Sequence, residues 1–136
     1  MNKKNQITIF IVEDNEVYAK SLQGFLQICF PKIKEIKIFS IGETCLMEMN
    51  RNPDIVIMDY FLNAKYPEAH NGLEIIGRIK AQRSQTSIIV LSTQTDINVT
   101  LKAIKQFNCI YIQKDNEAFS KIEKAILKIK ASKHLA

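Results

Sequence analysis

The 136-residue chain has room for one ordinary domain, and its 46% hydrophobic and 24% charged residues suit a chain that buries a core rather than one that stays disordered or forms fibres. No apolar run approaches the roughly 20 residues of a membrane span, and the polar, lysine-bearing Met1–Gln6 segment lacks a secretory apolar stretch, so no membrane association and a cytoplasmic location are expected. The net charge of +5 is concentrated from Lys102 onward, where eight lysines stand against Asp115, Glu117 and Glu123; on the outer face of a terminal amphipathic helix such lysines serve solvation, and no direct nucleic-acid binding is expected.

Ile7–Val12 is a β-branched and aromatic run that stops at Glu13-Asp14, which predicts a buried strand. Asn15 can cap a following helix in which Tyr18, Leu22, Phe25, Leu26 and Cys29 recur at helical spacing until Pro31. A strand over Glu35–Ser40 and a helix over Ile41–Asn50 come next, then a second apolar strand, Asp54–Met58, that again stops at an acid, Asp59. A loop from Tyr60 to Asn71 leads to a helix from Gly72 to about Arg83, a strand over Ser87–Leu91 and a helix with Ile97, Leu101, Ile104 and Phe107 on one stripe. The last pair is a strand over Cys109–Ile112 and a helix from about Asn116, lined by Phe119, Ile122, Ala125, Ile126 and Ile129.

Five strands alternating with five helices predict an α/β fold: a parallel sheet covered on both faces, in one domain over residues 1–136 with its core at about 7–129. Cys29, Cys45 and Cys109 are odd in number and widely spaced among apolar neighbours, which reads as buried free thiols rather than a disulfide framework. His70 and His134 have no second ligand at metal spacing, and the four glycines form neither GxGxxG nor a P-loop.

In open α/β sheets ligands bind beyond the carboxyl ends of the strands. The polar residues there are Glu13 and Asp14 after the first strand, Asp59 after the third, Ser92 and Thr93 after the fourth and Lys114 after the fifth. If those strands are neighbours, three carboxylates meet a hydroxyl and an ammonium, and the mutual repulsion of the acids calls for a divalent cation; hard oxygen ligands with an open face suit Mg2+. A carboxylate can also act as a nucleophile toward phosphorus. This divides the roles: Asp59 as acceptor, Glu13 and Asp14 as metal ligands directly or through water, Lys114 as fixed positive charge, Ser92 as donor to a phosphoryl oxygen.

An acidic pair after strand one, one Asp after strand three, Ser or Thr after strand four and Lys after strand five, met here by Glu13-Asp14, Asp59, Ser92 and Lys114, resemble the receiver domain of bacterial response regulators, and the likeness runs from Ile7 to about Ile129. The resemblance implies the flavodoxin-like strand order 2-1-3-4-5. It also implies phosphorylation of Asp59 by a histidine kinase or phosphotransfer protein in a two-component phosphorelay, with Mg2+ further contacted by the backbone carbonyl of Phe61. Tyr111 takes the place of the family's aromatic switch residue, so that phosphorylation would draw Ser92 inward, turn Tyr111 and change the face made by the fourth helix, fifth strand and fifth helix. Such a chain is not a turnover enzyme, although it catalyses its own phosphorylation and dephosphorylation; it is a monomer or a phosphorylation-dependent dimer whose downstream protein target the sequence does not name.

Departures from the family pattern favour one alternative. The family's loop proline is replaced by Asn63, its glycine arrives late as Gly72, so the 63–71 loop is longer, and Asp115 follows Lys114 where a cis-bonded proline is common. Asp115 can instead cap the final helix. These changes suit an interaction module of receiver shape that is never phosphorylated, whereas the intact Glu13, Asp14, Asp59 and Lys114 argue against it. A metal-dependent phosphatase with an aspartyl intermediate is the weakest reading, because Phe61 stands where such enzymes need a second Asp.

Overall fold

The computed structural model describes residues 6–60, 72–93 and 105–133. Its elements in chain order are β1 (Thr8–Val12), α1 (Glu16–Cys29), β2 (Glu35–Phe39), α2 (Gly42–Leu46), a 3₁₀ turn (Met49–Arg51), β3 (Ile55–Asp59), α3 (Gly72–Gln82), β4 (Ser87–Ser92), a helical stretch at 105–107 (α4), β5 (Ile110–Gln113) and α5 (Ala118–Ser132). The five strands form one sheet in the order β2-β1-β3-β4-β5, and every neighbouring pair is parallel.

The continuous apolar strands follow from this arrangement, because successive side chains leave opposite faces of the sheet and both faces are covered. Ile9, Ile11 and Ile57 pack against Leu22 and Leu26 of α1 and Ile122 and Ile126 of α5. Phe10, Val12, Val56 and Met58 turn the other way, onto Cys45 of α2 and Ile75, Ile76 and Ile79 of α3. β1 and β3 are therefore buried along their whole length.

The N-terminal ends of the strands are closed by polar groups with partners. Asp54 Oδ2 accepts the Thr8 N–H at 2.9 Å, and the buried Thr86 hydroxyl donates to the Pro53 carbonyl at 2.8 Å. The opposite ends of the strands are left for chemistry.

Several boundaries differ from expectation. The single helix expected over Ile41–Asn50 is split, because residues up to Asn52 tighten into i→i+3 bonds, Arg51 N–H to Glu48 O and Asn52 N–H to Met49 O, both 3.0 Å. Lys37 holds Glu48 at 2.5 Å and Arg51 pairs with Glu35, so this turn is tied to edge strand β2. β5 begins one residue later than predicted, after Asn108 in the left-handed region at φ 56°. α5 starts at Ala118 because Asp115 first makes a turn: its Oδ1 accepts the Glu117 N–H at 2.9 Å and its carbonyl accepts the Ala118 N–H at 3.1 Å. Asp115 thus shapes the approach to the helix, and Glu117 holds the N-cap position without a side-chain capping bond. The Lys114–Asp115 peptide is trans.

All three cysteines are free thiols. Only Cys45 is fully buried, whereas Cys29 and Cys109 are half-buried. Burial, and secondarily the Glu48 charge, pushes the Cys45 thiol up to about 12, which keeps it from forming a thiolate at neutral pH.

Gly72 opens α3 directly against the residue that follows Asp59. A Cβ there would stand 2.5 Å from the Tyr60 carbonyl oxygen, a backbone atom that cannot swing away. Gly72→Ala is accordingly expected to destabilise the fold by about 1–3 kcal/mol. Equilibrium urea unfolding checks this: the midpoint falls with an unchanged slope.

Candidate functional site

Three hydrogen bonds beyond the strand ends fix the backbone of the site. Glu13 N–H donates to Phe39 O, Tyr60 N–H to Leu91 O and Lys114 N–H to Ser92 O, each at 2.9 Å. The sheet's pairing pattern thus runs one residue further and brings the ends of β1, β3, β4 and β5 to one edge. In register, Val12 lies beside Met58, Asp59 beside Leu91 and Ser92 beside Gln113. The helix after β1 starts at a defined point because Asn15 Oδ1 accepts the Tyr18 N–H at 3.0 Å, as its N-cap position predicts.

At this edge the carboxylate oxygens of Glu13, Asp14 and Asp59 lie within 4.8 Å of one another. Glu13 is only 3% exposed and Asp59 9%. The Lys114 ammonium reaches across the sheet to both, at 2.6 Å from Glu13 Oε1 and 3.1 Å from Asp59 Oδ2. Glu13 Oε2 also accepts the Asn15 N–H at 3.0 Å.

The electrostatics follow from burial and proximity. Burial holds the Glu13 carboxyl above its ordinary value; the hydrogen bonds from Lys114 and the Asn15 N–H oppose this, and the charge of Asp59 adds to it. Burial also works against the Lys114 charge, but the hydrogen bond to Glu13 and the negative charges of Asp59 and Glu13 outweigh it, so the lysine titrates above its usual range. Among the described residues, three carboxylates converge beside one ammonium. A cluster of hard oxygen donors this close together fits a small divalent cation such as Mg2+.

The structure brings together Glu13, Asp14, Asp59 and Lys114 as side chains and Ser92 through its backbone, with Ser92 buried at the end of β4. Thr93, next along, is exposed. Tyr111 lies in β5 beside Val90 and packs on the α2–α3 side of the sheet; its hydroxyl is buried and has no hydrogen-bond partner among the described residues. The Phe61 carbonyl, the 63–71 loop and most of the helix predicted before Phe107 lie outside the described residues.

Sequence reasoning missed one contact. Tyr18 reads as a core position of α1, yet the Lys114 ammonium sits over its ring, 4.3 Å from the centroid. The signal available was its place in the first turn of the helix that follows Asp14, on the face toward the sheet's carboxyl edge.

Comparison with known proteins agrees with this geometry. The sequence model described as the response regulator receiver domain matches residues 9–127. A search of curated protein sequences finds no match. Among solved structures, the chain is similar to the signal receiver domain of the DNA-binding response regulator merR from Colwellia psychrerythraea 34H, at 23% identity and a TM-score of 0.76 over 91% of this chain and 98% of that one. It is also similar to the signal receiver domain of a modulated diguanylate cyclase from Desulfovibrio desulfuricans G20, at 25% identity and a TM-score of 0.69 over 93% and 98%. A third is the BeF3-activated DrrB receiver domain, at 21% identity and a TM-score of 0.72 over 91% and 97%. Among the described residues, no helix is long and apolar enough to cross a membrane.

Proposed function

Because this chain belongs to the response regulator receiver domain family, a signalling module rather than a turnover enzyme, we propose that it works as a phosphoryl-accepting switch with Asp59 as the acceptor. The observation that carries this reading is the convergence of Glu13, Asp14 and Asp59 on one pocket with Lys114 bound to two of them. Receiver domains generally partner with histidine kinases, so the donor is a phosphohistidine of a kinase or phosphotransfer protein.

In the proposed reaction an Asp59 carboxylate oxygen attacks the donor phosphorus. The P–N bond breaks, the imidazole leaves with the electron pair and takes a proton from solvent, and an acyl phosphate remains on Asp59. Lys114 is already 3.1 Å from Asp59 Oδ2, where it can pair with an oxygen of the incoming group. The Ser92 hydroxyl, buried at the end of the neighbouring strand, supplies a further donor. Glu13 and Asp14, with Asp59 and the Phe61 carbonyl, would hold Mg2+, which when bound supplies positive charge to the transferring phosphoryl group.

The acyl phosphate adds negative charge and acceptor oxygens at one point. Drawing Ser92 toward it would open space on the β4–β5 side, where Tyr111 carries a buried hydroxyl without a partner among the described residues. A side chain with an unmet hydrogen bond has a reason to move, and such movement is the switch.

The test is incubation of the chain with Mg2+ and acetyl phosphate, followed by intact-mass measurement. The expected result is the gain of one phosphoryl group, dependent on the cation. No gain with that donor or with any histidine kinase would favour an interaction module of receiver shape.

A further inference from the structure

We infer that Tyr18 is a positioning residue for Lys114, its ring face holding the ammonium where phosphoryl transfer to Asp59 needs it; this rests on the phosphoryl-acceptor reading above. An ammonium has three N–H donors. Two are taken by Glu13 at 2.6 Å and Asp59 at 3.1 Å, and the Tyr18 ring, 4.3 Å from the nitrogen to the centroid, covers a further side. The Lys114 side chain is only 13% exposed, so the ring stands where water would otherwise solvate the charge. A cation over an aromatic face is attracted by the ring quadrupole, and most strongly when desolvated.

The ring itself is held firmly. The Tyr18 N–H is bound by the Asn15 cap at 3.0 Å, and the Asn15 N–H donates to Glu13, so the backbone that carries the ring is tied to the acid that holds the lysine. Phe119 of α5 meets the ring edge-on, with centroids 5.4 Å apart and planes at 75°, and Phe25 of α1 backs Phe119 at 5.3 Å. The Tyr18 hydroxyl is buried without a hydrogen-bond partner among the described residues. The ring face, rather than the hydroxyl, is therefore what the site uses. When a phosphoryl group arrives, Lys114 must exchange its Asp59 contact for a phosphoryl oxygen; the ring, together with the bond to Glu13, persists through the exchange and keeps the long side chain from wandering.

Two variants of the full chain separate this role from simple packing. Tyr18→Phe keeps the face and removes the hydroxyl, whereas Tyr18→Leu keeps apolar bulk and removes the face. With Mg2+ and acetyl phosphate, the second-order rate of phosphoryl uptake by Tyr18→Leu is expected to fall roughly three- to thirty-fold, in line with the worth of a cation–π contact, and Tyr18→Phe is expected to restore it. In NMR spectra of the chain without donor, the Lys114 methylene protons next to the nitrogen should be shifted upfield by the ring in wild type and Tyr18→Phe and not in Tyr18→Leu. Uptake by Tyr18→Leu at the wild-type rate overturns the inference alone, as does Tyr18→Phe slowed as much as Tyr18→Leu. An unshifted Lys114 signal in the wild type overturns it without reference to whether any variant folds. Absence of uptake by the wild type from acetyl phosphate and from any histidine kinase overturns the phosphoryl-acceptor reading, and this inference with it.

Discussion

Asp59→Asn is expected to take up no phosphoryl group under conditions in which the wild type gains one, while keeping its fold. The amide has nearly the shape of the carboxylate but lacks the negative charge that makes the carboxylate oxygen a nucleophile toward phosphorus. The pocket around it survives: Lys114 keeps its 2.6 Å bond to Glu13, and the backbone bond from Tyr60 N–H to Leu91 O does not involve the side chain. A second consequence concerns the cation. If Mg2+ binds only the folded arrangement, it stabilises the wild type by about 2.7 kcal/mol at a concentration a hundred times its Kd. Removing one of the three converging carboxylates weakens that site, so the thermal shift at the same Mg2+ concentration should shrink in the variant. Intact mass and melting curves with and without Mg2+ check the two outcomes separately. Uptake retained by the variant would move the acceptor elsewhere; an undiminished thermal shift would remove Asp59 from the cation site.

The fold was largely legible because the informative signals were local. β1 and β3 are unbroken β-branched and apolar runs stopped by acids, and α1 carries both its cap, Asn15, and its core stripe, Leu22 and Leu26, in one short segment. Where the outcome depended on contacts distant in sequence, the reading was less accurate. The split of the Ile41–Asn50 helix is tied to Lys37 and Glu35 on the neighbouring strand, which draw Glu48 and Arg51 toward the sheet edge. The start of α5 was set by Asp115 bonding forward to Glu117, a choice that a capping preference alone does not fix.

The site was legible for a different reason. Parallel strands all end at the same edge, so the polar residues after each strand are brought together by topology before any side chain is placed. This located Glu13, Asp14, Asp59, Ser92 and Lys114 in one region. Which of them touch was not legible, since it depends on side-chain reach: Lys114 bonds Glu13 more closely than Asp59, and its third neighbour is a tyrosine that helical periodicity assigns to the core. Periodicity reports which side of a helix is buried, not what it meets there.

The closeness of the Glu13–Lys114 pair makes Lys114→Met the second variant with a large expected effect. Methionine fills similar space without the charge, leaving Glu13 3% exposed and without its closest cationic partner. Removing one partner of a buried ion pair costs about 3–5 kcal/mol, because the remaining charge is desolvated without compensation. The cost has a predictable pH dependence. Burial already holds the Glu13 carboxyl above its ordinary 4.5, and the Lys114 hydrogen bond is the largest influence opposing the rise, so losing it raises the carboxyl further. Between the ordinary and the raised value the folded variant binds more protons than the unfolded chain, and its stability falls as pH rises through that window. Lys114 itself titrates above its ordinary 10.5, so the wild type retains the contribution of the charged lysine throughout the neutral range and loses it only as pH climbs through the raised value. The deficit of Lys114→Met should therefore be largest near neutrality and smaller as acid protonates Glu13. Urea unfolding of both chains in Mg2+-free buffer, from about pH 5 to about pH 8, reads it directly. A deficit that does not change with pH would mean that the lysine contributes packing along its stem rather than charge, and the electrostatic account of the pocket would fail with it.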